Sequence, residues 1–260
     1  MKFFIGQVLP YLTAVIFLGG MTWRVVSWLK KPVPFQLTVF PAPKTTADRV
    51  VMISKELGLF TSLYKQDKGL WFWAWVMHFS LAMVIVGHVV GIYFLTKQFT
   101  LIGISSETST YLSITMGTVL GAMLLIALIV LSYRRTAVPE VRRLSDPADF
   151  FVLLLIGIVV LTGLHMRFPG VEIDLPAVRA FIGSVVYFKP LPIPDDSMFI
   201  VHFTFVNLLL IYFPFSKLVH LAGSVLCQML VTEAAPKYPT PAGVKRDVRW
   251  TLLRTEGNKK

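Results

Sequence analysis

Four histidines lie within two strongly apolar segments of the sequence. His78 and His88 lie in WFWAWVMHFSLAMVIVGHVVGIYFL, and His202 and His220 lie in MFIVHFTFVNLLLIYFPFSKLVHL. A polar side chain deep in a lipid bilayer is costly, and an ionisable residue there usually has a functional role. Two pairs of imidazoles on two such segments therefore suggest a site that binds its occupant through nitrogen ligands.

The composition shows what kind of protein carries these histidines. The chain has 260 residues, of which 55% are apolar and 15% charged, and its mean hydropathy is +0.68. Soluble domains carry about 25% charged residues. Lipid admits only helices or closed barrels, and the alternating strands of about ten residues that build a barrel are absent. We therefore predict an all-α integral membrane protein.

Five apolar segments are long enough to cross a bilayer as helices of about 20 residues. They are predicted over residues 3–29, 71–95, 111–132, 149–167 and 197–232. Together they form a membrane domain over 1–232, with a cytoplasmic loop at 30–70, and a basic cytoplasmic tail follows at 233–260. The first segment is interpreted as a retained helix, because it is too long for a signal peptide and no small-x-small cleavage site follows it.

The loop at 30–70 contains a short amphipathic helix with the sequence TADRVVMISKELGLF. Val50, Ile53, Leu57 and Phe60 form its apolar stripe, and Thr46 or Asp48 is expected to cap its start. Such a helix either lies on the membrane surface or provides a docking surface for a soluble subunit, and the two interpretations are compatible.

Charge determines the predicted orientation. The net charge is +11, and the loops at 30–70, 133–148 and 233–260 hold seven, four and seven Lys or Arg residues, against one at 96–110 and three at 167–196. By the positive-inside rule the basic loops are cytoplasmic, so the N-terminus lies outside and the C-terminus inside. The excess charge is thus assigned to cytoplasmic loops and acidic lipid headgroups, and no nucleic-acid partner is expected.

This orientation predicts which histidines face each other. His88 lies about 15 Å outward from His78, and His220 lies about 27 Å inward from His202 if the fifth helix is straight. The antiparallel helices then pair His88 with His202 near the outer face and His78 with His220 near the inner face. Two imidazoles fill both axial positions of a haem b iron, and such a centre passes electrons instead of binding substrate.

Other interpretations of the histidines remain open. Zinc is less suitable than haem, because each histidine pair supplies only two ligands. The histidines could also be ordinary buried residues that are only hydrogen-bonded within the core. The chain also contains a single cysteine, Cys227, so it cannot by itself hold an iron–sulfur cluster. A haem-free anchor for a soluble complex, or a transporter with a histidine proton relay, are the alternative functions.

The histidine pattern resembles a known family. Two histidines ten residues apart on the second helix, followed by two that are 18 apart on the fifth, resemble the gamma (cytochrome b) subunit of respiratory nitrate reductase. The stretches PVPFQLTVFPAPKT, LYKQDKGLWFWAWVMHF and GHVVG are similar to one branch in particular. That branch is the cytochrome b subunit of the sulfite-reductase-linked transmembrane complex, related to heterodisulfide-reductase-type menaquinol oxidoreductases.

The resemblance implies a function and a set of partners. His88 and His202 would ligate an outer haem b, and His78 and His220 an inner one. The subunit would exchange electrons between a quinone, expected to be menaquinone, and a cytoplasmic iron–sulfur subunit of heterodisulfide reductase type. Dissimilatory sulfur metabolism, further membrane and extracytoplasmic subunits, and a place in the prokaryotic cytoplasmic (inner) membrane are also implied. The alternative within the family is the gamma subunit of a nitrate reductase-type complex.

Two further residues are candidates for a quinone site near the outer haem. His165, in LTGLHMRFPG at the outer end of the fourth helix, could hydrogen-bond a quinone and accept its proton. Arg167 could stabilise negative charge on a semiquinone or on a haem propionate. Both residues also have ordinary explanations, namely helix packing for His165 and contact with lipid headgroups for Arg167.

Overall fold

A computed structural model describes residues 1–31, 39–94, 97–168 and 170–232 of the protein. Within these ranges all regular secondary structure is helical, as predicted. The α-helices are α1 (Leu9–Leu29), α2 (Thr46–Leu59), α3 (Thr61–Gln66), α4 (Lys68–Phe94), α5 (Ser106–Ala137), α6 (Pro139–Arg143), α7 (Pro147–His165), α8 (Leu175–Val186), α9 (Ser197–Tyr212) and α10 (His220–Val231). The predicted basic tail, 233–260, lies outside the described residues.

Five helical segments are long and apolar enough to cross a membrane. They are Phe4–Leu29, Lys68–Val90, Ser106–Ala137, Pro147–His165 and Ser197–Phe215. Each corresponds to one of the five predicted helices, so the prediction of a five-helix membrane protein is confirmed. The short apolar helix α8 was not predicted, and it packs Val178 and Phe181 against Phe199 at the start of α9.

The spanning helices pack in a chain of neighbours: α4 on α5, α5 on α7, α7 on α9, and α9 on α1. Close approach of α5 and α7 occurs at Gly121, where an added Cβ would lie 2.7 Å from Cδ2 of Leu164. Among the described residues, α4 and α9 are not a closely packed pair. The two helices that carry three of the four histidines therefore do not form a tight helix interface with each other.

Polar residues at the helix starts satisfy backbone N–H groups that have no partner within the helix. Asp146 precedes α7 as its N-cap, with Pro147 in the first turn, as the sequence predicts. The prediction for α2 is wrong, because Thr45 is the cap: its hydroxyl accepts a hydrogen bond from the N–H of Asp48, whose carboxylate accepts one from the N–H of Thr45.

The fifth membrane segment is broken, whereas the sequence predicts one helix over 197–232. After α9 the chain forms two 3₁₀ turns, Phe213–Phe215 and Lys217–Val219, before α10 begins at His220. Pro214 has no N–H to donate to the helix. Ser216 then adopts an extended conformation, and its hydroxyl accepts a hydrogen bond from the N–H of Leu218. His220 is therefore the first residue of a separate helix.

Helix α2 connects α10 with α4. Arg49 donates hydrogen bonds to the carbonyl of Met229 and to the hydroxyl of Thr232 in the last turn of α10 and just after it. The indole N–H groups of Trp71 and Trp75 donate to the carbonyls of Leu59 and Gly58 at the other end of α2. The amphipathic helix is thus attached to the bundle at both of its ends.

The apolar stripe of α2 differs slightly from the predicted one. Ile53, Leu57 and Phe60 are half-buried, but the side chain of Val50 is 58% exposed. Arg49 takes the packed position next to Val50 because its guanidinium binds α10.

Candidate cofactor-binding site

The structure brings the four histidines together in two pairs. The rings of His88 and His202 lie 6.4 Å apart between centroids and are 20° from parallel. The rings of His78 and His220 lie 5.9 Å apart and are nearly perpendicular, at 84°. These are the pairs that the sequence predicts, and they form although the fifth segment is broken between His202 and His220.

Hydrogen bonds determine which ring nitrogen carries the proton in three of the histidines. The Nδ1 atom of His78 lies 2.7 Å from the carbonyl oxygen of Ala74, that of His88 lies 2.7 Å from Val84, and that of His220 lies 2.9 Å from Lys217. A carbonyl oxygen only accepts hydrogen bonds, so Nδ1 is the donor in each neutral ring. The lone pair on Nε2 is then available to a ligand, which is the usual arrangement of metal-binding histidines.

His202 reaches the same state through a side chain. Its Nδ1 atom lies 3.0 Å from Oγ1 of Thr162 on α7. That hydroxyl also lies 2.7 Å from the carbonyl oxygen of Ile158, to which it donates. Because its proton is engaged there, the oxygen accepts from Nδ1–H of His202 and leaves Nε2 free. Sequence reasoning missed Thr162, whose only signal is a hydroxyl within an otherwise apolar helix.

The ring separations fit an iron between each pair. A metal–imidazole bond is about 2.0 Å long and the nitrogen lies about 1.1 Å from its ring centroid, so two axial rings stand about 6 Å apart. The observed values are 6.4 and 5.9 Å. The described residues contain no group of three or more His, Cys, Asp or Glu side chains suited to a metal ion. Two imidazoles are instead the number that a haem requires.

Space is available beside one of these pairs. His88 is exposed between α4 and α9, and an added Cβ at the neighbouring Gly87 would meet no atom within 4 Å. Gly87 therefore does not serve close helix packing. Gly87 thus leaves open space next to His88, whereas Gly117 and Gly121 on α5 face Arg167 and Leu164.

The two predicted quinone-site residues have different surroundings. His165, the last residue of α7, is exposed and its ring lies edge-on to Phe168 at 6.3 Å. The guanidinium of Arg167 lies over Gly117 of α5 and donates a hydrogen bond to the carbonyl of Ser113, 3.2 Å away. Arg167 thus has a packing role, and its binding of quinone stays a prediction, as does that of His165.

A charged cluster lies next to His220. Nζ of Lys217 is 2.7 Å from the carboxylate of Asp149 and 3.2 Å from that of Asp146. Arg135 donates to the same oxygen of Asp149 from 3.0 Å, and the side chain of Asp149 is only 6% exposed. Hydrogen bonds from Lys217 to Asp149, and then to Asp146, raise the pKa of the Lys217 ammonium.

Comparison with known proteins identifies the family. The family model for the nitrate reductase gamma subunit matches residues 60–234, which is more than half of the chain and includes all four paired histidines. The chain belongs to the nitrate reductase gamma subunit family. With its five spanning segments, it is a multi-pass protein of the inner membrane, and both the predicted family and the predicted location are confirmed.

Its relatives include archaeal and bacterial proteins. The chain is 29% identical over 263 residues to the Hdr-like menaquinol oxidoreductase cytochrome b-like subunit of Archaeoglobus profundus, covering 85% of this chain and 76% of the relative. The protein of the same name from Archaeoglobus fulgidus is 29% identical over 258 residues, covering 84% and 76%. The nitrate reductase gamma chain of Bacillus subtilis is 26% identical over 226 residues, covering 83% and 90%.

Proposed function

We propose that this chain is the dihaem cytochrome b subunit of a respiratory complex, and that it transfers electrons between menaquinone and a cytoplasmic iron–sulfur subunit of heterodisulfide reductase type. The arrangement of the histidines carries this proposal: there are two pairs, the ring centroids within each pair lie about one bis-imidazole spacing apart, and each ring has its Nε2 atom free. The names of the archaeal relatives support the menaquinol and heterodisulfide-reductase parts. Sulfur metabolism is the corresponding proposal for the whole complex.

The protein's own groups hold and orient the cofactors in this proposal. Haem b would supply reversible one-electron transfer when bound, and His88 and His202 would hold one group while His78 and His220 would hold the other. The hydrogen bonds from each Nδ1 fix the ring orientation and increase the basicity of Nε2. With two histidines holding each group, substrate would not bind at the iron, so menaquinol would react beside the haem instead of on it.

The proposed orientation places the N-terminus outside and the C-terminus in the cytoplasm. It rests on the alternation of basic and less basic loops in the sequence. In this orientation the pair of His88 and His202 lies toward the outside, near His165. Menaquinol oxidation there would release protons outside while electrons pass inward, and His165 would accept one of those protons at its imidazole.

Reduced-minus-oxidised spectra with haem quantification test the haem assignment. Wild-type protein is expected to hold two b-type haems per polypeptide. The double variant His78→Ala/His220→Ala, and separately His88→Ala/His202→Ala, should each keep one. Removing His78 and His88 together should abolish both. No b-type signal in the wild type, or loss of only one haem in this last variant, would show that the histidines do not ligate two haems.

Two rival functions are distinguished by the co-purified subunits and by the histidine variants. A gamma subunit of nitrate reductase type, which the Bacillus subtilis relative favours, would retain both haems but co-purify with a nitrate-reducing partner. A haem-free anchor would show unchanged electron transfer after histidine substitution. Identification of the co-purified subunits, with menaquinol-dependent reduction of the b-type signal, distinguishes the proposed complex from both.

A further inference from the structure

The position of His220 cannot be explained by helix geometry alone. His78 and His88 lie within the continuous helix α4, and each ring binds the carbonyl of the residue four positions earlier. His220 instead begins α10, directly after two 3₁₀ turns, and its Nδ1 binds the carbonyl of Lys217. The orientation of this ring therefore depends on how the segment 213–219 is held.

That segment is fixed from two sides. Arg24 of α1 donates a hydrogen bond to the carbonyl of Pro214, 3.0 Å away. At the other end, the ammonium of Lys217 binds Asp149 and Asp146 at the start of α7. The side chain of Lys217 is thus attached to a spanning helix, while its carbonyl holds the ring of His220.

The burial of Asp149 makes this attachment specific. The carboxylate is 94% removed from solvent and has two cationic partners, Lys217 at 2.7 Å and Arg135 at 3.0 Å. A buried charge requires close partners, and charge-assisted hydrogen bonds favour a narrow range of positions. Lys217 is therefore restricted to a small region, although 65% of its own side chain is exposed.

We propose that Lys217, bound by Asp149 and Asp146, is a positioning residue that orients His220 as an axial ligand. The carboxylates on α7 bind the ammonium of Lys217, and the backbone carbonyl of Lys217 accepts a hydrogen bond from Nδ1 of His220. This hydrogen bond orients the ring and its free Nε2. The other level needs no such cluster, because Thr162 holds His202 directly. This inference rests on the proposed role of the pair His78–His220 as haem ligands.

The variant Lys217→Met tests the proposal. It removes the ammonium but keeps an unbranched side chain, and Arg135 still neutralises Asp149, so the protein should fold. Loss of outer-shell orientation typically lowers metal affinity 10–100-fold. We expect about that loss of haem affinity at the level of His78 and His220, with a changed electron paramagnetic resonance signal from that haem. The haem of His88 and His202 should keep its signal and serve as an internal reference.

Three further variants complete the experiment. Lys217→Arg should restore the signal, because the guanidinium can bind the same carboxylates. Lys2→Met is the matched control, since it removes another lysine–aspartate pair, Lys2 with Asp195, which is exposed and includes neither of the carboxylates that bind Lys217. Unchanged haem signals in Lys217→Met, or an equal loss of both haems, would overturn the inference. His220→Ala separates the two failures: if it retains both haems, the proposed haem function itself is wrong.

Discussion

The imidazole of His88 lies 6.4 Å from that of His202 and only 20° from parallel to it, whereas His78 and His220 meet at 84°. The two levels also differ in the acceptor used by the ring on the fifth segment, which is a threonine hydroxyl for His202 and a backbone carbonyl for His220. Axial-ligand orientation and outer hydrogen bonds both influence haem potentials. If each pair holds a haem as proposed, the two haems are therefore expected to be electronically distinct.

Replacing Thr162 tests the contribution of its hydroxyl. Thr162→Ala removes the hydroxyl that accepts from Nδ1–H of His202 and leaves only the backbone of Val159 as a partner for this ring. The loss of this hydrogen bond makes Nε2 a weaker donor to iron. We expect a higher reduction potential for the haem of His88 and His202 and a 10–100-fold lower haem affinity at that level. Potentiometric titration in membranes measures the potential. Thr162→Ser keeps the hydroxyl and should behave like wild type; equal potentials in the alanine and serine variants would refute the role.

The open space at Gly87 provides a second test. Gly87→Leu adds a side chain where the protein has no neighbouring atom within 4 Å, so the bundle alone should tolerate it. We expect loss of one of the two haems, because a macrocycle ligated by His88 would compete for that space. Gly19→Leu, at another open glycine on a spanning helix, is the control. Full haem content in the Gly87 variant would mean that no macrocycle lies beside this residue.

Two adjacent glycines of α1 test the packing of the broken segment. An added Cβ at Gly20 would lie 2.7 Å from Cβ of Pro214, which belongs to a rigid ring, while Gly19 has no neighbour within 4 Å. Overpacking typically costs 1–3 kcal/mol. Gly20→Ala should therefore lower the free energy of unfolding in detergent by about 1–3 kcal/mol. Gly19→Ala should leave it nearly unchanged, and equal stabilities would argue against this contact.

The contacts of the Asp67 carboxylate predict that the protein loses stability in acid. Its carboxylate accepts a hydrogen bond from the N–H of Leu70 at 2.8 Å and a second from Arg134 at 3.2 Å. The first of these contacts is the main reason that the pKa of Asp67 lies below its ordinary value of 3.8. Stability from this group is therefore present above that value and is lost as the pH falls through the lower pKa of the folded protein.

The measurement is the unfolding temperature in detergent as a function of pH. Wild type should lose stability below about pH 4, and Asp67→Asn should lack the part of that loss due to this carboxylate. Asp48→Asn provides a comparison, since this carboxylate also caps a helix start, that of α2, but has no cationic partner among the described contacts. An identical acid profile for Asp67→Asn and wild type would contradict the prediction.

The sequence predicted the membrane helices and the juxtaposition of the histidines, but the prediction of one continuous helix over 197–232 is wrong. The chain breaks at Pro214 and Ser216. Apolar length and charge alternation are local signals and can be read directly. By contrast, Lys217 binds residues about 70 positions away in sequence, and Thr162 is 40 positions from His202. Such long-range contacts leave no local pattern in the sequence, so they could not be predicted from it.

Helix α8 and the cap of α2 were missed for a different reason. The region 168–196 is rich in proline, which suggested a loop, yet Pro176 lies in the first turn of α8 where proline is tolerated. For α2, Thr45, Thr46 and Asp48 are all suitable capping residues, and only the backbone conformation selects Thr45. The first error concerns whether a short helix exists and the second where a helix starts, while the existence of the membrane helices follows from their length and composition.

Each histidine pair joins one residue of α4 to one from the fifth segment or the helix after it. During synthesis, the ribosome completes the partner of His88 only at residue 202 and that of His78 only at residue 220. A chain of four membrane helices therefore has no complete axial pair. If the pairs hold haem as proposed, cofactor insertion is expected to be a late event in biogenesis, and products that end before residue 202 would be unable to retain haem.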